Sequence, residues 1–320
     1  MLRSLAPSLL IVLLFRCGGV AAPANSDGGN EKVNNDPADA AIEVNEENKT
    51  DAAIPNEACP NAKAATSPGT VTDTEITESS GLVASVLNPG TLWLHNDSGD
   101  TARAFAIADN GSKRATLTFD TTDPVDIEDM AIEDDGPQSY LYFGDIGDND
   151  RIRPSITIHR VMEPKLGTET SLAAKSTKMI VRYPNGAHNA ETLLFDPITK
   201  ELLIVTKDTL GSAEIHRVGK FVGGGNVTTE KVSTVSVILA TGGDISRDGK
   251  WIALRNYTTS GFLWLRDPNE SLATTFGKPP CKIPIAQEKQ GETLPFIPDG
   301  SGYTTVSEGK KQELHRALFE

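Results

Sequence analysis

The chain has 320 residues and a formal net charge of −14 at pH 7, with 38% hydrophobic and 6% aromatic residues. Nucleic-acid binding requires a basic face, so this acidic composition excludes nucleic acid as the expected partner. The sequence contains no run of 18 apolar residues, and we expect no transmembrane span in the mature chain. The length allows either two average domains or one large all-β domain.

The first 24 residues are typical of a secretory signal peptide. A basic start precedes the apolar core "LAPSLLIVLLF", and "APA" supplies a cleavage site before Asn25. We therefore predict an exported protein, located in the periplasm, at the cell surface or in the medium. The alternative is a lipoprotein anchored through Cys17, but Phe15 and Arg16 stand where such a signal needs small residues.

Residues 25–66 are rich in Asn, Asp, Glu, Ala and Pro and nearly lack aromatic residues. Such a segment cannot bury enough apolar surface to offset the entropy of ordering, so we predict an acidic disordered tether. The remainder, residues 67–320, is predicted to form a single domain.

Two cysteines, Cys59 and Cys281, remain once the signal peptide has been removed. An even pair in an exported chain favours a disulfide, with two free thiols as the alternative. The bridge would close a loop of more than 200 residues. For a loop of that length the chain-entropy model gives roughly 4 to 5 kcal/mol of stabilisation.

Short acid-containing segments recur along the chain after the tether, at intervals of 48 to 63 residues. In chain order they are "TESSGLVAS", "DIEDMAIED", "NAETLLFDP", "GGDISRDGK" and "GETLPFIPD", with the acids Glu78, Glu128, Glu191, Asp244 and Glu292. Each is followed by a second apolar run, such as "TLWLHND", and by an alternating third run, such as "ARAFAIAD". Alternation with a period of two and a high content of β-branched and aromatic residues predict strands throughout.

Units of about 50 residues, each with four strands, are typical of a β-propeller. We predict an all-β fold of five blades, each of four antiparallel strands, with six blades as the alternative. The last unit lacks a fourth strand, and the stretch 69–76 near the N-terminus is predicted to supply it and close the ring. A β-sandwich is the alternative fold, but it does not require an acid at one position of every unit. We expect a monomer.

The motifs "ITESSGL", "LWLHNDSGD", "DIEDMA", "GDIGDND" and "RYPNGAHNAETLL" resemble those of a group of exported bacterial β-propeller proteins. The resemblance covers the chain from Thr72 to its end and implies a propeller, but it implies no substrate. More loosely, the chain is similar to lactonase-like and phytase-like propellers, which hold a metal at the axis. No complete ligand set transfers from them residue by residue.

In a propeller the first strand of each blade lines the central channel, so the five repeated acids are expected to form a ring at one mouth. Like charges that close together disfavour ionisation unless a cation or donors intervene. In the second strands, Asn96, Asp145, Lys207 and Glu308 align at one position, and His95 and Arg255 stand one residue earlier in their blades. One hypothesis is structural: Lys207 and Arg255 neutralise the ring and fasten the blades together.

The other hypothesis is a hard cation bound by oxygen atoms. Calcium takes six to eight oxygen ligands, which suits Glu78, Asn96, Asp97, Glu128 and Asp145. The stretch "GDIGDND" either presents Asp145 to the axis or wraps a cation locally with Asp148 and Asp150. The alternative for its last three residues is ordinary turn chemistry, in which Asx side chains bond to their own backbone.

Catalysis at the same mouth would use Glu128 or Glu191 as a base, with His95, His188 or Lys207 as the proton donor or oxyanion partner. Zinc is disfavoured because the histidines show no metal-ligand spacing. We predict a binding protein whose acidic mouth takes a ligand, a divalent cation or a protein partner. The alternatives are a metal-dependent hydrolase of lactones, phosphate esters or sugars, and a structural cell-surface protein.

Overall fold

Alternating apolar residues build a chain of short antiparallel strands. The computed structural model describes residues 59–97, 99–121, 124–209, 211–257 and 260–320. The predicted signal peptide, Cys17 and most of the predicted tether lie outside the described residues. The strands are β1 Thr66–Thr70, β2 Ser79–Ala84, β3 Thr91–Asn96, β4 Arg103–Ala108, β5 Lys113–Asp120, β6 Ile127–Asp135, β7 Gln138–Asp145, β8 Ile156–Met162, β9 Ser171–Arg182, β10 Ala190–Asp196, β11 Glu201–Thr206, β12 Ala213–Gly219, β13 Asn226–Thr228, β14 Glu230–Val235, β15 Ala240–Ile245, β16 Trp251–Asn256, β17 Ser260–Leu265, β18 Cys281–Pro284, β19 Gly302–Val306 and β20 Glu313–Leu318. One short helix, α1 Leu272–Phe276, accompanies them.

The strands pair into five antiparallel blades. The first four are β2-β3-β4-β5, β6-β7-β8-β9, β10-β11-β12-β14 and β15-β16-β17-β18, each running in chain order from the inner strand outwards. The outer strands β5 and β9 also pair with each other in parallel, which joins the first two blades at their rims. The short strand β13 adds to the outer edge of β9 in parallel. The predicted all-β propeller of five four-stranded units is confirmed.

The fifth blade is completed by the N-terminal strand. β1 pairs with β20, and β20 pairs with β19, so chain from both ends shares one sheet. The inner segment, residues 291–296, is bridged at its two ends, by Gly291 with Ser307 just after β19 and by Phe296 with Tyr303 in β19. Between them the Thr293 hydroxyl accepts from the amide of Val306 at 2.9 Å, in place of a regular ladder contact. The predicted N-terminal closure is confirmed, but the closing strand is Thr66–Thr70 rather than 69–76.

Five apolar cores hold the ring together, and each lies between two neighbouring blades. Between the first and second blades, for example, Trp93 and Phe119 pack with Met130 and Phe143, and the two phenylalanine rings stack at 4.4 Å. The ring closes where Leu82 and Leu94 of the first blade pack with Val306 and Leu314 of the fifth. Because apolar burial is the main driving force of folding, these five seams fix the order and number of blades.

A disulfide joins Cys59 to Cys281 across 222 residues, with the Cα atoms 5.6 Å apart. It ties the start of the described chain to β18, the outer strand of the fourth blade, and lies beside the core between the fourth and fifth blades. The predicted pairing is confirmed. Among the described residues, no helix combines the length and apolar character that crossing a bilayer requires.

Candidate functional site

The strand register decides which repeated acids face the channel mouth. The inner strand of each of the first four blades begins with a bulge, and the residue pairs at that bulge are Ser79 with Asn96, Ile127 with Asp145, Ala190 with Thr206 and Ala240 with Asn256. In the fifth blade the matching pair is Gly291 with Ser307. The next residues along the inner strands are therefore equivalent, and they are Ser80, Glu128, Glu191, Thr241 and Glu292. Three acids share this position instead of five.

The other two repeated acids do not share this strand position, so the prediction of a five-acid ring is wrong. Glu78 is exposed and precedes β2. Asp244 is half-buried further along β15, where it accepts from the amides of Ile245 at 2.8 Å and Phe296 at 2.9 Å. Burial raises the pKa of Asp244 to about 7. Asp244 thus links the fourth blade to the fifth.

Asp129 makes the same kind of link between the second and third blades. Its carboxylate accepts from the amides of Met130 and Leu193, both at 2.8 Å. The acid that bonds to the next blade therefore stands one residue after the mouth position in the second blade and three residues after it in the fourth. Because the chain places acids of both kinds close together, the sequence repeat aligned Asp244 with Glu128.

The second strands show a similar shift of one residue. Asn96 and Asp145 share the bulge position with Thr206, Asn256 and Ser307, whereas Lys207 and Glu308 come one residue later, at the position of Asp97. The predicted alignment of Asn96 and Asp145 with Lys207 and Glu308 is therefore wrong by one residue. Asp97, Lys207 and Glu308 are the equivalent charged residues, and Tyr257 holds the same place in the fourth blade.

Asn96 and Asp145 hold the loops that enter the inner strands. The Asn96 side chain accepts from the amides of Thr77 at 2.9 Å and Glu78 at 3.2 Å. Asp145 accepts from the amides of Val125 at 3.1 Å and Asp126 at 3.0 Å. Their oxygen atoms are thus used in positioning the backbone, and the structure does not bring either side chain into the clusters of metal-binding side chains described below.

The loop "GDIGDND" lies beside Asp126 and Glu128, and side-chain bonds hold its conformation. Arg153 pairs with Asp145 at 2.8 Å and donates to the carbonyl of Gly147 at 2.6 Å. Asp148 accepts from the amides of Ile152 and Arg153, four and five residues further along the chain, at 3.0 and 2.8 Å. The carboxylates of Asp145 and Asp148 are therefore engaged in holding the loop.

Glycine at position 147 makes room for two carboxylates of the mouth. A Cβ atom there would lie 2.2 Å from Asp126 Oδ2 and 2.3 Å from Glu128 Oε1. No side chain larger than hydrogen fits without displacing both. Asp126 was not among the site residues predicted from sequence, although it lies only two residues before the predicted acid Glu128.

Six carboxylates form what we call the acidic mouth, namely Asp97, Asp126, Glu128, Glu191, Glu292 and Glu308. Oxygen atoms of Asp97, Asp126 and Glu128 all lie within 4.8 Å of one another, and so do those of Asp97, Glu292 and Glu308. Asp97 belongs to both groups and therefore lies between them. The structure thus joins Asp97 and Glu128, two of the five predicted metal ligands, to three further acids.

Lys207 is the cation closest to these acids, and its ammonium binds Glu191 Oε1. Its charge also lies within 4.9 Å of the centre of the Tyr257 ring. The second oxygen of Glu191, Oε2, is buried and has no hydrogen-bond partner among the described residues, and the same holds for Glu292 Oε2. Both residues are 4% exposed. Leaving buried acceptors unsatisfied is costly, so these oxygen atoms are expected to meet a further group.

The pKa values show how far negative charge exceeds positive charge here. Burial and the charges of Glu191 and Asp97 raise the pKa of Glu128 to about 11. Burial and the neighbouring Glu308 raise the pKa of Glu292 to about 10. Burial raises the pKa of Glu191 as well, but Lys207 opposes it and leaves the value at about 7. Without a further cation, two of these carboxyls stay protonated at neutral pH.

His95 is 1% exposed and serves the backbone on both sides of its ring. Nε2 accepts from the amide of Gly81 at 3.1 Å, and Nδ1 donates to the carbonyl of Asn96 at 2.7 Å. Burial lowers the pKa of His95 to about 4, so the ring is neutral. Because both ring nitrogens bond to the backbone, His95 has no nitrogen left to act as the predicted proton donor.

Arg255 is fully buried and pairs with Glu288 at 2.6 Å. It also donates to the carbonyl of Thr293 at 3.1 Å, while Glu288 accepts from the Thr305 hydroxyl at 2.6 Å. This network joins the fourth and fifth blades. The prediction that Arg255 neutralises the acid ring is wrong, because its carboxylate partner is Glu288.

His188 lies outside the acidic mouth. Its ring packs edge-on against Tyr183 at 4.9 Å and lies 5.5 Å from the ring of His216. Sequence spacing does not connect His188 with His216, because β10, β11 and part of β12 separate the two residues. Their proximity is a consequence of the strand pairing within the third blade.

These observations define the class: the described chain is a five-bladed β-propeller with an acidic channel mouth. No protein-family model matches the chain, and no curated protein matches it. Among solved structures, it is similar to a gluconolactonase from Xanthomonas campestris, with 14% identity and a TM-score of 0.45 over 82% of this chain and 100% of the other. It is also similar to the WD40 repeats of RRP9, with 10% identity and a TM-score of 0.40 over 81% and 100% of the two chains.

Proposed function

We propose that this protein is a cation-binding propeller whose acidic mouth holds calcium. The observation that carries the proposal is the pair of carboxylate groups that share Asp97, with Lys207 as the nearby cation and with Glu292 Oε2 buried without a hydrogen-bond partner among the described residues. A divalent cation supplies the missing positive charge and a partner for Glu292. Oxygen ligands alone favour a hard cation over zinc or copper.

The spacing of the acids fits calcium. Calcium binds oxygen at about 2.3 to 2.6 Å, so two ligands on opposite sides of the ion lie about 5 Å apart. The oxygen atoms of Asp97, Asp126 and Glu128 lie within 4.8 Å of one another. We propose that Asp97 binds the cation, together with Asp126 and Glu128 from one group and Glu292 and Glu308 from the other. Calcium accepts six to eight ligands in flexible geometry, which leaves coordination positions for water or a bound ligand.

The proposal is tested by calorimetric titration of the metal-free full-length protein with calcium, together with thermal melting in calcium and in chelator. Saturable binding and a raised melting temperature are expected, because a ligand of the native state stabilises it by mass action. At 100 times the dissociation constant the stabilisation is about 2.7 kcal/mol. The absence of any calcium-dependent heat or melting shift would overturn the proposal.

Glu128→Gln is the sharpest variant, since it keeps the shape of the side chain and removes the charge. The variant should fold with a melting temperature in chelator at or above that of the wild type, because the wild-type carboxyl keeps its proton in the native state but releases it on unfolding, which favours the unfolded state. Its response to calcium should be lost. Glu169→Gln is the matched control, since Glu169 is exposed and lies outside the mouth. Equal calcium responses in both variants would place the cation elsewhere.

A metal-dependent hydrolase is the second candidate, and one observation favours it. Glu191 has a pKa of about 7 and contacts Lys207, so the pair could exchange a proton with a substrate bound at the cation. Screening lactones, phosphate esters and glycosides with calcium present tests this candidate. Hydrolysis that is lost in Glu191→Gln, while calcium binding is retained, would favour the enzyme. Calcium binding without hydrolysis of any of the three classes leaves the binding role.

Export remains part of this proposal. The signal-like N-terminus lies outside the described residues, and the disulfide between Cys59 and Cys281 suits an oxidising compartment. Calcium is present at high concentration outside cells, where a site can be filled without high affinity. Fractionation of cells that produce the full-length protein tests its location.

A further inference from the structure

A second cluster of metal-binding side chains lies on the third blade, and none of its residues belongs to the acidic mouth. Glu214 and His216 stand two residues apart on β12, and side chains two apart on a strand share a face. His188 comes from the segment before β10. One donor atom from each of the three lies within 4.8 Å of the other two.

Hydrogen bonds hold both imidazoles in orientations that suit a ligand. His216 Nδ1 lies 3.0 Å from the hydroxyl of Thr229, and its Nε2 lies 3.0 Å from Glu214 Oε2. His188 Nε2 lies 2.9 Å from Asn185 Oδ1, an oxygen that can only accept, so Nε2 carries the proton and Nδ1 carries the lone pair. Metal-binding histidines nearly always bond in this way through their second nitrogen.

The spacing of the donors is close to that of a tetrahedral site. Zinc binds imidazole nitrogen and carboxylate oxygen at about 2.0 to 2.2 Å, which separates two tetrahedral ligands by about 3.3 Å. The 3.0 Å between His216 Nε2 and Glu214 Oε2 is near this value. A cation would replace the proton now shared by these atoms, and Thr229 would accept from His216 Nδ1–H.

Neighbouring side chains hold the donor atoms of this cluster in place. Lys231 binds the other oxygen of Glu214, Oε1, at 2.6 Å, and so orients the carboxylate with Oε2 towards the histidines. The Tyr183 ring packs edge-on against both His188 and His216, with centroids 4.9 Å away in each case. The Tyr183 ring and the oriented carboxylate of Glu214 limit the movement of the two imidazoles.

We propose that His188, Glu214 and His216 bind a zinc-type divalent cation, with a fourth position open to water or to a ligand. Two imidazoles and one carboxylate form a donor set that suits zinc and similar transition metals, whereas the all-oxygen mouth suits calcium. The protein therefore carries two sites of different metal preference. This site stands independently of the calcium proposal, since the two share no residue.

The test is a zinc titration of the metal-free full-length protein in a large excess of calcium, which occupies the acidic mouth. One equivalent of zinc should bind. Cobalt(II), as a spectroscopic probe, should give the intense visible absorption of tetrahedral coordination. His188→Gln and Glu214→Gln should each weaken zinc binding by about tenfold or more, because even the loss of a residue that only hydrogen-bonds to a metal ligand lowers metal affinity by that much.

Two controls separate this site from others. His315→Gln removes a histidine outside the cluster and should leave zinc affinity unchanged, as should Glu128→Gln, which alters only the mouth. Far-ultraviolet circular dichroism and melting curves establish that the variants are folded. No saturable zinc binding in calcium, or binding by folded His188→Gln and Glu214→Gln equal to that of the wild type, would overturn the proposal.

Discussion

The ammonium of Lys207, which directly follows β11, binds one carboxylate oxygen of Glu191 on the neighbouring strand β10 of the third blade. The other oxygen of Glu191 is buried without a hydrogen-bond partner among the described residues. The ion pair therefore provides a partner for Glu191 Oε1 and leaves Oε2 without one in the acidic mouth. One lysine cannot balance six carboxylates, and burial together with this excess of negative charge raises the pKa values of Glu128 and Glu292.

Replacing Lys207 with methionine should strengthen calcium binding. The substitution keeps the apolar stem, which lies near Tyr257, and removes a positive charge that repels the cation. We expect the calcium dissociation constant to fall by roughly tenfold, which corresponds to about 1.4 kcal/mol. Calorimetry on the full-length variant measures it. Weaker calcium binding in Lys207→Met than in the wild type would argue that the lysine positions the ligands instead of opposing the ion.

The acidic mouth should make the metal-free protein less stable as the pH rises from 7.5 to 9.5. The native pKa values of Glu128 and Glu292 are about 11 and 10, while an ordinary glutamate has a value of 4.5. In this window the native state holds protons that the unfolded state has released, so stability decreases as pH increases. Each such group contributes about 1.4 kcal/mol per pH unit.

Urea unfolding in chelator across this range measures the effect. The window lies above the pKa values of the buried histidines, which are lowered from 6.5, so those rings are neutral in both states. Calcium should flatten the dependence, because it replaces the protons in the native state. Glu128→Gln should reduce the slope in chelator. A slope of zero in the wild type would contradict the raised pKa values.

The sequence predicted the fold better than the site, for a physical reason. Strand alternation and a repeat near 50 residues depend on apolar burial, which is regular along the chain, and they led to five blades. Bulges add one residue to one strand and shift every later side chain, and no residue type marks them. Asp244 and Glu128 therefore looked equivalent, although one bonds to the next blade and the other faces the mouth.

The site residues found and missed follow the same division. Glu128, Glu191, Glu292 and Asp97 were predicted because each lies beside a recognisable apolar strand. Asp126 was missed because its loop carries no repeat signal of its own. The approach of His188 to His216 depends on pairings between distant strands, and sequence spacing alone does not reveal it.

Removing the disulfide should destabilise the propeller without affecting the mouth. Cys59 and Cys281 close a loop of 222 residues, and loss of such a bridge is expected to cost about 4 to 5 kcal/mol in the chain-entropy model. Urea unfolding of Cys59→Ser/Cys281→Ser, compared with the oxidised wild type, measures the loss. Calcium affinity at low temperature should be unchanged. A simultaneous loss of calcium binding would show that the N-terminal segment also orders the mouth.

Gly147→Ala is the most selective change available at the mouth. The backbone of Gly147 has no positive φ, so alanine is tolerated there in conformation. Its Cβ atom, however, would lie 2.2 Å from Asp126 Oδ2 and 2.3 Å from Glu128 Oε1, and these carboxylates would have to move apart. We expect calcium affinity to fall by roughly tenfold or more, with native-like spectra.

Gly167→Ala provides the matched control for this substitution. A Cβ atom at Gly167 meets nothing within 4 Å, and its backbone likewise has no positive φ. Both variants lower the entropy of the unfolded chain in the same way, so a difference between them reports the native state alone. The calcium dissociation constants of the two full-length variants should therefore differ by the full effect of displacing Asp126 and Glu128. Equal affinities would mean that the cation does not lie between these two carboxylates, because the ligands nearest to Gly147 would have moved without consequence.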